Sequence, residues 1–118
     1  MRGFTLIEVL VALAIVAVAL GAAVRVAGSM TQANVDLRLK LLAQLAADNR
    51  IAELRAAAAF PPIGTRSTPC PQGKARLDCV EEVKSTPNPL FRRVEVRVYA
   101  NSEHTRMLVE MVGILPRP

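Results

Sequence analysis

Aromatic side chains are scarce in this 118-residue chain, which has three Phe, one Tyr and no Trp. A dry aromatic ligand pocket is hard to build from so few rings. There is one histidine, His104, in a polar turn where a solvated loop role outweighs a catalytic or metal-binding one. No nucleophile signature, phosphate-cradling Gly-rich loop or dinucleotide fingerprint occurs, so neither enzymatic activity nor a cofactor is expected. The acids outside the N-terminal half cluster tightly only at Asp78, Glu81 and Glu82. Calcium takes six or more oxygen ligands, so these three are expected to form a solvated face and no metal site. No run of five or more like charges occurs. The formal charge of +5 raises nucleic acid or anionic lipid as partners, but the basic residues are scattered and stacking rings are nearly absent, so nucleic acid is not expected. Cys70 and Cys79 are the only cysteines. They are too few for a metal site, and an even count outside a membrane favours a disulfide closing a loop of about ten residues, worth roughly 2 to 3 kcal/mol.

What the chain does have is helix-forming aliphatic sequence: hydrophobic residues make up 52% of it, and no proline occurs before Pro61. Residues 4–24 read FTLIEVLVALAIVAVALGAAV. As a helix this run rises roughly 31 Å and matches a bilayer core. It is longer than the apolar part of a cleavable signal peptide and passes without a break into a helical pattern. Glu8 is the anomaly, one turn inside the run; an acid there is functional by default. Ala17 with Gly21, and Ala19 with Ala23, have the four-residue spacing that lets membrane helices approach closely. Beyond Arg25 the pattern is amphipathic, with one ridge through Val35, Leu39 and Leu42 and a second through Leu37, Leu41 and Leu45. A single helix from about residue 4 to about residue 59, on the order of 80 Å long, is expected, with Gly21 and Gly28 its weak points. Packed on one small sheet, that helix buries one arc, so one ridge is expected to stay exposed as a partner interface. The pattern does not say which.

Phe60-Pro61-Pro62-Ile63-Gly64 ends the helix. Thr65 to Gly73 reads as loop, Leu77 to Lys84 as a short strand, and residues 85–89 as a turn. Arg92 to Tyr99 alternates, with Val94, Val96 and Val98 on one face and Arg93, Glu95, Arg97 and Tyr99 on the other. Thr105 to Leu115 supplies an antiparallel partner. The fold class is therefore α+β: a long N-terminal helix, its first half membrane-spanning, packed on a small antiparallel sheet.

The stretch Arg2-Gly3-Phe4-Thr5-Leu6-Ile7-Glu8-Val9-Leu10-Val11-Ala12-Leu13 resembles the processing signal of type IV pilins and of the pseudopilins of type II secretion. The resemblance implies cleavage between Gly3 and Phe4 by a prepilin peptidase that also methylates Phe4. It also implies that Glu8 neutralises the terminal amine of a neighbouring subunit, which fits the physics: two opposite buried charges are tolerable together and neither is tolerable alone. The expected organisation is a leader (1–3), a transmembrane helix (4–24), an extramembrane amphipathic helix (25–59) and a small β-rich periplasmic region (60–118). The leader is shorter than usual, and an upstream start codon would lengthen it. Residues 45–54, LAADNRIAEL, and the strand Arg92 to Val98 are similar to the I-type minor pseudopilin; the resemblance leaves residues 60–88 unmatched, and a Trp common there is missing. Implied are a place near the fibre tip with J-type and K-type subunits, contacts with H-type and major pseudopilins, and a single-pass location in the inner membrane of a Gram-negative cell. The calcium site of the major pseudopilin has no visible motif here. A minor pilin of a type IV pilus and a DNA-binding competence pseudopilin share the N-terminal signal and stand as alternatives.

Overall fold

A computed structural model describes residues 3–118; Met1 and Arg2 of the expected leader lie outside the described residues. The element order is α1 (Leu6–Ala56), β1 (Gly64–Pro69), β2 (Asp78–Ser85), β3 (Phe91–Tyr99) and β4 (Met107–Pro116). Contacts divide the chain at Asp36, giving an N-terminal unit and a Leu37–Pro118 unit. In the N-terminal unit α1 starts where Thr5 Oγ1 accepts a hydrogen bond from the Glu8 backbone N–H at 3.2 Å, satisfying one of the donors a helix start leaves open. The helix continues through Gly21 and Gly28, and a Cβ at either would meet nothing within 4 Å.

In the Leu37–Pro118 unit the four strands form one antiparallel sheet in sequence order. Antiparallel pairing puts directly opposed residues on the same face, so the register assigns the faces. Cys79, Glu81 and Val83 of β2 oppose Val98, Val96 and Val94 of β3, which oppose Val109, Met111 and Gly113 of β4. This face closes on Ala43, Ala46, Ala47, Ile51 and Leu54 of α1. Alanines at three of those helix positions permit close approach, and Gly113 permits more: a Cβ there would stand 3.1 Å from Ile51 Cγ2. Gly113→Val is therefore expected to overpack the helix–sheet seam and destabilise the unit by about 2 kcal/mol. Chemical unfolding of the variant, and its partial rescue by Ile51→Ala, would measure this; unchanged stability would mean the helix does not seat on β4 as described.

The helix ends at Ala56 in a Schellman-type cap built without glycine. The Ala59 N–H bonds Leu54 O at 2.9 Å, the Ala58 N–H bonds Arg55 O at 3.1 Å, and Ala58 takes a φ of 49°. Arg92 then holds the exit, donating to the carbonyls of Phe60 and Pro61 with its guanidinium 4.0 Å from the Phe60 ring centroid. The expected loop from Thr65 to Gly73 is a correction: Gly64–Pro69 is strand β1, paired with β2. It was hidden because all six residues are exposed, so no apolar alternation marks it. The chain turns back at Gly73, whose φ of 57° is the one positive value between Gln72 and Ala75, the pattern of a II′ turn.

Candidate functional site

The N-terminal unit presents Phe4, Leu6, Ile7, Leu10, Leu13 and Ile15 to its surroundings, and the apolar stretch of α1 has no part buried within the chain. So much exposed aliphatic surface on a helix of this length suits hydrocarbon or other helices, not water. Phe4 and Glu8, the expected processing and assembly residues, lie together at its start and line one notch with Val9, Ala12, Leu13 and Val16. Gly3, the other expected processing residue, precedes the helix in irregular chain.

The two leucine ridges of α1 receive different environments. Leu39 and Leu42 pack partly buried against the core of the Leu37–Pro118 unit. Leu37, Leu41 and Leu45, on the far side of the helix, are 57%, 54% and 52% exposed. Val35, in the N-terminal unit, is exposed as well. Of the six expected interface residues, Leu39 and Leu42 are thus turned mainly inward.

Beside the buried alanines the helix places Arg50, which donates through Nε to Glu81 Oε1 and through Nη2 to Oε2 at 3.4 Å; its Nη1 bonds Glu53 at 3.1 Å. Glu81 is 1% exposed, and among the described residues Arg66 is its only other cation, at 3.7 Å. This corrects the expected solvated face of Asp78, Glu81 and Glu82: Glu81 points inward among the valines, and Asp78 and Glu82 are half-buried. The hydrogen bond to Glu81 raises the Arg50 guanidinium above its ordinary value against the opposing effect of burial. Among the described residues no buried side-chain N or O lacks a partner, so the inward acid is fully served.

On the opposite sheet face Glu82 and Glu95 stand directly opposed, a like-charge pair that would repel if left alone. Arg97 Nη2 bridges them, 2.9 Å from Glu82 Oε2 and 3.0 Å from Glu95 Oε2, and Lys84 Nζ lies 3.3 Å from Glu95 Oε1. Burial pushes the Glu95 carboxyl up, but the Lys84 hydrogen bond and the charges of Lys84, Arg93 and Arg97 prevail and hold it below the usual value. A depressed carboxyl contributes stability that is present above its unfolded value, about 4.3, and is lost as pH falls through the lower folded value. Lys84→Gln is accordingly expected to lower the thermal midpoint at pH 6, with the gap to the parent closing on acidification below about pH 4. A gap independent of pH would separate Lys84 from Glu95.

Ser67, Asp78 and His104 meet at the other end of the sheet. Ser67 Oγ donates to Asp78 Oδ2 at 3.1 Å, and the same His104 Nε2 contacts both Asp78 Oδ2 and, at 3.5 Å, Ser67 Oγ. A hydrolytic triad needs the acid on one imidazole nitrogen and the hydroxyl on the other, with the hydroxyl free to give its proton to the ring. Here one nitrogen serves both and the serine hydroxyl already donates to the acid, so the cluster fastens a turn. His104 is half-buried in that turn with a φ of 57°, not the solvated loop residue its sequence context suggests. Cys70 and Cys79 form a disulfide with Cα atoms 5.7 Å apart, which ties the end of the β1–β2 hairpin to β2.

Two family profiles match the chain: type II secretion system protein I over residues 37–116, and the prokaryotic N-terminal methylation motif over residues 1–24. A Pseudomonas aeruginosa protein described as type II secretion system protein I is 35% identical over 121 residues, covering 97% of this chain and 94% of the relative.

Proposed function

This chain belongs to the type II secretion system protein I family, and we propose that it works there as a helix donor: its exposed leucine ridge binds the neighbouring minor pseudopilins of a tip complex. Membership makes it a membrane-anchored minor pseudopilin, a structural part of the secretion apparatus that acts with other pseudopilus components. The finer reading is that Leu37, Leu41 and Leu45 pack against J-type and K-type subunits, with the Leu37–Pro118 unit in the periplasm and the apolar helix in the inner membrane. H-type and major pseudopilins would follow below the tip. The observation that carries it is the half-exposed state of that ridge while Ala43, Ala46, Ala47, Ile51 and Leu54 are closed off by the sheet. A row of leucines left in water is a cost that a parallel helix removes, at about 25 cal/mol per Å² of apolar surface covered.

Leu41→Glu and Leu39→Glu distinguish the two sides. Leu41→Glu is expected to leave the chain folded, yet to reduce its co-purification with a J-type subunit from detergent-extracted membranes by at least about tenfold, the factor that a loss of 1.4 kcal/mol brings. Leu39→Glu buries a charge against the core and is expected to destabilise the fold itself. Normal recovery of the complex with Leu41→Glu would remove the ridge from the interface. Maturation is part of the same reading, with prepilin peptidase cutting between Gly3 and Phe4 and methylating Phe4. The mass of the membrane-extracted protein is expected to lack Met1 to Gly3 and to carry one added methyl group.

A further inference from the structure

At one end of the Leu37–Pro118 unit the sheet register brings three segments together. These are residues 55–65, from the last turn of α1 into β1; 84–93, from β2 to β3; and 112–118, the end of β4. The Arg117 N–H bonds Leu90 O at 2.7 Å, and Arg92 reaches the carbonyls of Phe60 and Pro61, so the three are joined. Of the chain's 15 basic and 10 acidic residues, these segments hold Arg55, Lys84, Arg92, Arg93 and Arg117 and no acidic side chain. Their five positive charges equal the formal net charge of the chain, +5.

Lys84 and Arg93 are spent on Glu95. Arg55, Arg92 and Arg117 have no carboxylate partner among the described residues: Arg92 and Arg117 lie 4.0 and 5.9 Å from the Phe60 ring centroid, and Arg55 is exposed in the last turn of α1. Beside them Ile63 and Leu90 are 60% and 55% exposed, and Phe91 is 38% exposed. Guanidinium groups alternating with exposed apolar side chains make the composition of a protein interface, in which arginine and aromatic residues are enriched. A nucleic-acid surface would need more unpaired cations than three, since its affinity is built from many phosphate contacts.

We propose that this pole is a docking surface for an acidic segment of a partner protein that carries an apolar side chain, its carboxylates meeting Arg55 and Arg117 and its apolar group resting on Leu90 and Phe91. This surface is separate from the leucine ridge, so the two stand or fall independently. The probe is a fluorescent peptide of alternating Glu and Leu with one central Phe, titrated by anisotropy into the full chain in neutral detergent micelles. Binding is expected to weaken at least about tenfold in Arg55→Glu/Arg117→Glu, and severalfold in Leu90→Ser. Both variants change exposed side chains, and an unchanged urea midpoint confirms that each is folded. Peptide affinity unaltered in the folded double variant overturns the proposal, as does no binding to the parent chain. It is also overturned if polyglutamate binds as well as the mixed peptide, which is ion exchange without the apolar contact. Tighter, arginine-dependent binding of a single-stranded oligonucleotide or of anionic vesicles would assign the pole to those ligands instead.

Discussion

Arg50→Ala is expected to lower the stability of the Leu37–Pro118 unit by about 3 to 5 kcal/mol, the range for removing one partner of a buried ion pair. The reason is Glu81, which is 1% exposed on the helix-facing side of the sheet and among the described residues would keep only Arg66, 3.7 Å away. A folded unit of roughly 80 residues has about 4 to 12 kcal/mol to lose, so the variant is left marginal at ambient temperature. Tyr99, the only tyrosine in a chain without tryptophan, lies on β3 and reports urea unfolding by its emission. The double variant Arg50→Leu/Glu81→Leu separates causes, because replacing both charges with apolar groups removes the orphaned carboxylate and is expected to recover most of the loss. If Arg50→Ala unfolds within about 0.5 kcal/mol of the parent, the size of an ordinary surface change, Glu81 does not depend on Arg50.

The contrast between Glu81 and Glu95 explains which parts of this unit could be read from sequence. In β3 the alternation of Val94, Val96 and Val98 with charged residues is regular, and the structure keeps those valines inside. The same period of two in β2 puts Glu81 between Cys79 and Val83 on the inner face, but three acids close together in sequence read as one solvated cluster. Applying strand parity to β2 would have found Glu81, and its partner followed only from folding, since Arg50 is 31 residues earlier. Glu95 is outward by parity and yet buried, because the long stems of Lys84, Arg93 and Arg97 cover it. Strand β1 left no signal, having no inward apolar residue. The two leucine ridges looked equivalent until the sheet chose the alanine-lined side, where Gly113 admits Ile51. The apolar span and the methylation signal needed no tertiary knowledge, since length and local motif carry both.

Glu8→Gln is expected to insert into the membrane normally and to abolish secretion, while Thr5→Ala is expected to leave secretion working. The pair is needed because Glu8 has two candidate roles. Thr5 and Glu8 have the Thr-x-x-Glu spacing of a capping box, and the Glu8 N–H already bonds Thr5 Oγ1 at 3.2 Å. A negative charge in the first turn also suits the helix dipole. If capping were the whole role, Gln would replace Glu with little effect, and Thr5→Ala would be the damaging change, weakening the helix start by about 1 kcal/mol. The assembly role predicts the reverse. Gln keeps the side-chain shape and the cap but leaves a neighbouring subunit's terminal amine unpaired in hydrocarbon, a loss of about 3 to 5 kcal/mol per contact and so more than a hundredfold in association. Insertion is spared because removing a charge from the span lowers its cost of entering the bilayer. Membrane fractionation reads the first step and export of a folded substrate at native expression reads the second. Export surviving Glu8→Gln but failing with Thr5→Ala would assign Glu8 to the helix start alone.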